Sequence, residues 1–231
     1  MAKRRAEICS AISHDTGVSS KFQVPSSISK YKNLELGTWN LELKRIMFSL
    51  KVDEELELAL PSESNIEKAF AVVMGNYEHL HEWMPWVNES FSLESVKEYY
   101  KQTLLKFATE GDEIGLNIVL RGEIVGGTGF HSIDRRDKSA EIGYWLAKEA
   151  TGKGLVFKSV EKLLEYGFEE LVLNRVVIKC VPENMKSRAI PERLGFVKEG
   201  VEREAGWLHT RFVDHVVYSM LAREWREINR K

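Results

Sequence analysis

Ala140-Glu141-Ile142-Gly143-Tyr144-Trp145-Leu146, then Ala147-Lys148-Glu149-Ala150, then Thr151-Gly152-Lys153-Gly154-Leu155-Val156 is the stretch on which the fold turns. Its first seven residues read as a strand. After the Thr151–Gly154 turn the period becomes helical, with Val160, Leu163, Leu164 and Phe168 on one face. A strand that feeds a glycine-bearing turn and then a helix presents unpaired backbone N–H groups and a positive dipole end. Glycine lets an anion approach that backbone closely, so the turn is a candidate cradle for a pyrophosphate. A plain strand-to-helix turn is the alternative. The spacing matches neither the Walker pattern nor the Rossmann fingerprint.

Upstream, Leu56 to Leu60 alternates like a half-buried strand, and Ser62 or Ser64 is placed to cap a helix running to about Met74. Ser92 opens a second helix that Gly111 stops. Ile114 to Leu120, the turn Arg121-Gly122-Glu123 and Ile124 to His131 form a hairpin. Downstream, Val176 to Val181 reads as a buried strand, Lys186 to Leu194 as a helix, and Phe196–Val201 and Phe212–Leu221 as strands. Hairpins followed by a strand–helix–strand crossover imply an α/β protein of α+β type. Its central sheet is mixed and mostly antiparallel, with one parallel pair near the centre and flanking helices.

The whole chain has 231 residues, 43% hydrophobic and 29% charged, with a net charge of −2. That suits one domain with a real core plus an appendage, and gives no global reason to expect nucleic acid or an anionic membrane as partner. The densest apolar run, Ala69 to Met74, is far too short to span a bilayer. Cys9 and Cys180 cannot build a disulfide framework or a four-ligand zinc site, so a cytoplasmic, metal-independent protein is expected. Residues 1–46 carry eight lysines and arginines against four acids, a net of +4 that leaves −6 for residues 47–231. This serine-rich leader shows no sustained periodicity and is expected to be poorly ordered. A basic arm for RNA and a true start at Met47 are the competing readings of it. Residues 47–231 are then the functional domain.

Asn184-Met185-Lys186-Ser187 follows directly on the strand ending at Val181. Asn184 reads as a turn or cap residue, and Gly195 as a helix C-cap. Pro191 falls inside the predicted helix and has no N–H for the carbonyl of Ser187, four residues back. That carbonyl should therefore lack its helical partner.

The order Glu141-Ile142-Gly143-Tyr144-Trp145, Gly152-Lys153-Gly154, Asn174-Arg175, Asn184-x-x-Ser187-Arg188-Ala189, Glu192-Arg193-Leu194-Gly195-Phe196 and Glu199-Gly200 resembles the GCN5-related N-acetyltransferases (GNAT superfamily). More narrowly it resembles the RimJ/RimL-type branch, which acetylates ribosomal-protein N-termini. Leu80-His81-Glu82-Trp83-Met84-Pro85-Trp86 is similar to that branch's substrate-side segment. The resemblance runs from about Leu56 to Trp225.

What the resemblance implies is an acetyl-CoA site where the strands of residues 140–147 and 174–181 splay apart. The pyrophosphate would lie on the amides of Gly152, Lys153, Gly154, Leu155 and Val156. The pantetheine arm would pair with backbone groups of Trp145, Leu146 and Ala147, and Asn184 would hold it from the other side. Thr151 and Val156 depart from the family pattern Gln/Arg-x-x-Gly-x-Gly/Ala, so a less optimised cradle is expected. The tyrosine many relatives place seven residues after the asparagine is here Pro191. The Rim-type substitute, a serine three residues after it, is Ser187, which would bind beside the cofactor and protonate the departing thiolate. The base position before Trp207 is Gly206. Glu204, if the backbone there is extended, and Glu141 are the candidate bases, with a water chain as the alternative. Trp83 and Trp86 are expected to wall the acceptor groove.

An α-amino group, with a pKa near ~8 against ~10.4 for lysine, needs little help to lose its proton. The expected activity is acetyl transfer from acetyl-CoA to a primary amine, foremost a ribosomal-protein-like N-terminus. A small-molecule amine is the alternative acceptor, and a non-catalytic acyl-CoA sensor the alternative class. A homodimer is admitted by this reading.

Overall fold

The computed structural model describes residues 48–109 and 111–229. The expectations for the leader and for Met47 lie outside the described residues. Strands β1 (Ser49–Lys51), β2 (Leu56–Ala59), β3 (Ile114–Leu120), β4 (Glu123–Asp134), β5 (Ser139–Leu146), β6 (Arg175–Cys180), β7 (Val197–Leu208) and β8 (Arg211–Leu221) form one sheet. Their spatial order is β1-β2-β3-β4-β5-β6-β8-β7. Every neighbouring pair is antiparallel except β5 with β6. The mixed sheet with a central parallel pair is as the sequence predicts.

Alternation along the strands sorts the helices onto two faces. Asn117 and Val119 of β3 point toward α1 (Ile66–Gly75) and α3 (Leu93–Ala108). There Ala69, Val96 and Tyr100 pack on Ala59, Val119 and Ile124, and the Tyr100 hydroxyl donates to Asn117 (3.0 Å). Ile114, Leu116 and Ile118 point the other way, into the main core with Val160, Leu163 and Leu164 of α4 (Leu155–Glu165). Phe168 joins that core from a π turn, Tyr166–Glu170, which closes α4. Helices α5 (Met185–Leu194) and α6 (Ala222–Ile228) complete this side, and a short helix, α2 (Tyr77–His81), links α1 to the aromatic segment before α3. No helix among the described residues is long and apolar enough to cross a membrane.

Several local expectations are corrected. Ser62 and Ser64 cap nothing through their side chains: their hydroxyls bond each other (3.0 Å), and α1 starts after a 3-10 turn at Glu63–Asn65. Ser92 does cap α3, in a reciprocal box with Ser95. Strand β7 runs on to Leu208, seven residues beyond Val201, as an exposed edge.

Candidate active site

The parallel ladder of β5 with β6 covers only Ser139↔Arg175, Ala140↔Val176 and Glu141↔Val177. Beyond Glu141 the two strands part. Strand β5 stays paired with β4 as far as Leu146, and β6 stays paired with β8 as far as Cys180. Each thus keeps one edge without a strand partner among the described residues, and the two open edges face each other. Open strand edges of this kind take up an extended ligand as an added strand.

The helices that follow these strands begin beside the gap. Gly152 (φ +77°) and Gly154 (φ +73°) turn β5 into α4, and both occupy the left-handed region that favours glycine. A Cβ built on either would meet nothing within 4 Å, so the surface before this turn is open to a ligand. The amides of Leu155, Val156 and Phe157 precede the first helical bond, from Lys158 N to Gly154 O (3.1 Å), and the first turn holds no acid. Lys158 itself is turned away to Asp53 (2.8 Å), whereas Arg193 lies over the Phe157 ring (4.8 Å).

These elements border a cleft of about 650 Å³. Of the predicted cofactor residues, Trp145, Leu146, Gly152, Gly154, Leu155, Val156, Asn184 and Ser187 line it. Lys153 and Ala147 do not. Ala147 donates its amide to Val125 O (2.8 Å) and accepts from Ala150 N (3.0 Å), so its N–H is committed to β4. Sequence reasoning missed His79, Glu82, Phe157, Glu183 and Arg193, which also line the cleft. His79 lies on α2 and Glu82 caps its C-terminal end, and a helix this short has no period that the sequence reveals.

At the start of α5, the Asn184 side chain caps the helix by accepting from Ser187 N (3.1 Å). Its Nδ2 donors remain for the cleft. The Ser187 carbonyl lacks its helical partner, as Pro191 predicts, and instead accepts from the Tyr144 hydroxyl (2.9 Å). Ser187 Oγ lies 3.3 Å from Tyr144 Oη and 3.2 Å from Cys180 Sγ. Burial pushes the Tyr144 phenol well above its ordinary pKa and also raises the Cys180 thiol, so both stay protonated at neutral pH. Arg188 anchors the same helix, donating to Tyr218 Oη (3.1 Å) and Pro182 O (2.9 Å).

On the opposite face of the sheet, the Trp145 indole folds over Gly127, its partner in the β4 ladder, where a side chain would collide with the ring. Trp83 lines the cleft. Trp86 does not; it packs edge-on against Trp145 (5.9 Å). The β7–β8 hairpin tip closes on the same region, with His209 stacked on His81 (3.7 Å).

Glu141 is outside the cleft: it sits at the last closed rung of the β5–β6 ladder, on the face opposite Tyr144, toward Lys179 (3.9 Å). Glu204 is also outside. The backbone there is not extended: it sits in a bulge at φ +51°, exposed, with its amide bonded to Asp214 (2.8 Å). At Gly206 the space a side chain would take is filled by the His215 ring, 2.7 Å from a built Cβ.

A splayed parallel pair beside a glycine-opened helix start offers an open strand edge to an extended ligand and backbone amides to its anionic end, and the comparisons give the class of protein that has such a site. The chain belongs to the acetyltransferase (GNAT) domain family, whose model matches residues 55–197, and is thus an acetyl-CoA-dependent N-acetyltransferase. It is 35% identical to "Putative ribosomal N-acetyltransferase YdaF" of Bacillus subtilis (strain 168), over 78% of this chain and 98% of that one. It is 27% identical to the ribosomal-protein-serine acetyltransferase of Escherichia coli (strain K12), over 75% and 96%. Among solved structures it resembles RimL, a ribosomal L7/L12 α-N-protein acetyltransferase in complex with coenzyme A. That match has a TM-score of 0.72 and 26% identity, over 77% of this chain and 99% of that chain. It also resembles the microcin C7 self-immunity acetyltransferase MccE with acetyl-CoA and AMP (TM-score 0.71, 31% identity, over 74% and 95%).

Proposed function

We propose that the protein acetylates the N-terminal α-amine of a ribosomal protein, in the cytoplasm. The observation that carries this reading is the end-to-end similarity to YdaF, which spans 98% of that chain. In this reading the diphosphate of acetyl-CoA rests on the amides from Gly152 to Val156, with Arg193 as the nearby cation. The pantetheine arm adds along the open edge of β5 at Leu146, passing Trp145, and Asn184 Nδ2 meets it from α5. The thioester then lies by Ser187, whose hydroxyl protonates the departing thiolate. The acceptor enters over Trp145 between Trp83 and the β7–β8 tip. Its proton leaves on that sheet face, where Glu141 and His215 stand, rather than through Glu204. Exposed Val197, Val201, Trp207 and Phe212 along β7 and β8 are the surface through which two copies would pair as a homodimer, which sedimentation tests.

The test is incubation with acetyl-CoA and purified ribosomal proteins, read by free thiol and by intact mass. One acetyl group on the α-amine of a ribosomal protein, with stoichiometric thiol release, is expected. Turnover confined to polyamines, amino acids or antibiotics would contradict the acceptor. Tight coenzyme binding without thiol release from any amine would point to a sensor.

A further inference from the structure

We infer that Tyr144 is a positioning residue for Ser187, seated on the one carbonyl of α5 that Pro191 releases. The inference rests on the proposed role of Ser187 as proton donor to the leaving thiolate. In an α-helix the carbonyl of residue 187 would accept from the N–H of residue 191, and proline has none. The Tyr144 hydroxyl takes that place from β5, donating to Ser187 O at 2.9 Å. A phenol has one hydrogen to give, and with it committed to the carbonyl the oxygen is left as an acceptor. Ser187 Oγ lies within reach of that oxygen, at 3.3 Å. One side chain therefore holds the Ser187 backbone and places its Oγ: before transfer the Ser187 hydrogen rests on Tyr144 Oη, and it turns from there to the thiolate as the thioester breaks, with the Cys180 thiol left to donate to Oγ.

The second neighbour of the hydroxyl is Cys180 Sγ at 3.2 Å, at the end of β6. Ser187 is thus gripped from both diverging strands, at the place where their separation opens the cleft. Burial keeps the phenol protonated, so the clamp does not come apart by ionisation near neutral pH. A hydroxyl on a free rotor would sample three staggered positions; the clamp holds it in one. Pro191, which would be a defect in an ordinary helix, is here what frees the anchor point.

The experiment is a double-mutant cycle on the full chain with acetyl-CoA and an accepted amine, using Tyr144→Phe, Ser187→Ala and the pair, with Pro191→Ala alongside. Tyr144→Phe should lower kcat about tenfold while the KM for acetyl-CoA stays within about twofold. In the Ser187→Ala background the same change should cost nothing further, because its target is gone. Pro191→Ala, which restores a competing N–H to the carbonyl, should lower kcat about threefold with KM unchanged. A wild-type kcat in Tyr144→Phe, or a loss that persists at full size without the serine, overturns the positioning role. If Tyr144→Phe does not fold, an unaltered kcat in Pro191→Ala overturns it instead. Full activity in Ser187→Ala alone would overturn the proton-donor reading itself, a result separable from the other two.

Discussion

Substituting Gly154 by alanine separates two consequences of one methyl group. Residue 154 has φ +73°, where a Cβ strains the backbone by about 1 kcal/mol, so a modest loss of folding stability is expected. No atom lies within 4 Å of the added Cβ, so the substitution does not crowd the protein itself. What it crowds is the space in front of the α4 amides. Hydrogen bonds from neutral donors to a charged phosphate contribute about 1.5–3 kcal/mol each. Pushing the diphosphate off one or two of them should cost about 3 kcal/mol, or roughly 150-fold in the dissociation constant. Isothermal titration with coenzyme A measures this directly. Lys153→Ala is the control: its side chain is exposed and outside the cleft, so a change of about threefold or less is expected. A folded Gly154→Ala protein that binds coenzyme A within about threefold of wild type would refute the cradle.

Three further outcomes are expected. Trp83→Ala should raise the acceptor KM about tenfold and leave coenzyme binding unchanged, whereas Trp86→Ala, which loosens the packing on Trp145, should affect both in titrations of each substrate. Glu204→Gln should leave the pH–rate profile unaltered, since the bulge turns that residue out of the site; a shifted limb would return it to the mechanism. Glu113, held at about 2 by the His131 imidazole (3.6 Å) and the Lys106 ammonium (2.8 Å), has a depressed folded pKa against 4.5 unfolded. Its contribution is therefore present above about pH 4.5 and is lost as pH falls toward 2. Urea unfolding should show wild type more stable than Glu113→Gln at pH 6, and the two converging as the pH is lowered through that window.

Much of this was legible in residue order because it depends on local rules. Alternation from Ala140 to Leu146 defines the strand and assigns Tyr144 and Glu141 to opposite faces. The pair of glycines around Lys153 marks a turn that only left-handed residues make comfortably, and both adopt it. Pro191 implies an orphan carbonyl at Ser187, which the structure contains. Its partner was hidden, because Tyr144 is 43 residues away and only the sheet brings it there. The Asn184 side chain serves as a helix cap and also lines the cleft, so the structural and functional readings of that residue are compatible. The extended backbone expected at Glu204 does not occur, since a positive φ at a glutamate has no sequence signal, and the bond from the Ala147 amide to a neighbouring strand is equally invisible in residue order. Short elements such as β1 and α2 are below the length at which a period can be read. The second half of β7 escaped because an exposed edge strand rich in charge carries no apolar alternation.

A crystal structure with coenzyme A and an acceptor peptide tests the central claim most directly. The account predicts diphosphate oxygens on the amides between Gly152 and Val156, the chain of the cofactor along β5, and its sulfur within hydrogen-bonding reach of Ser187 Oγ. Coenzyme bound away from the α4 start, or a sulfur directed to the far side of the sheet from Ser187, would contradict it.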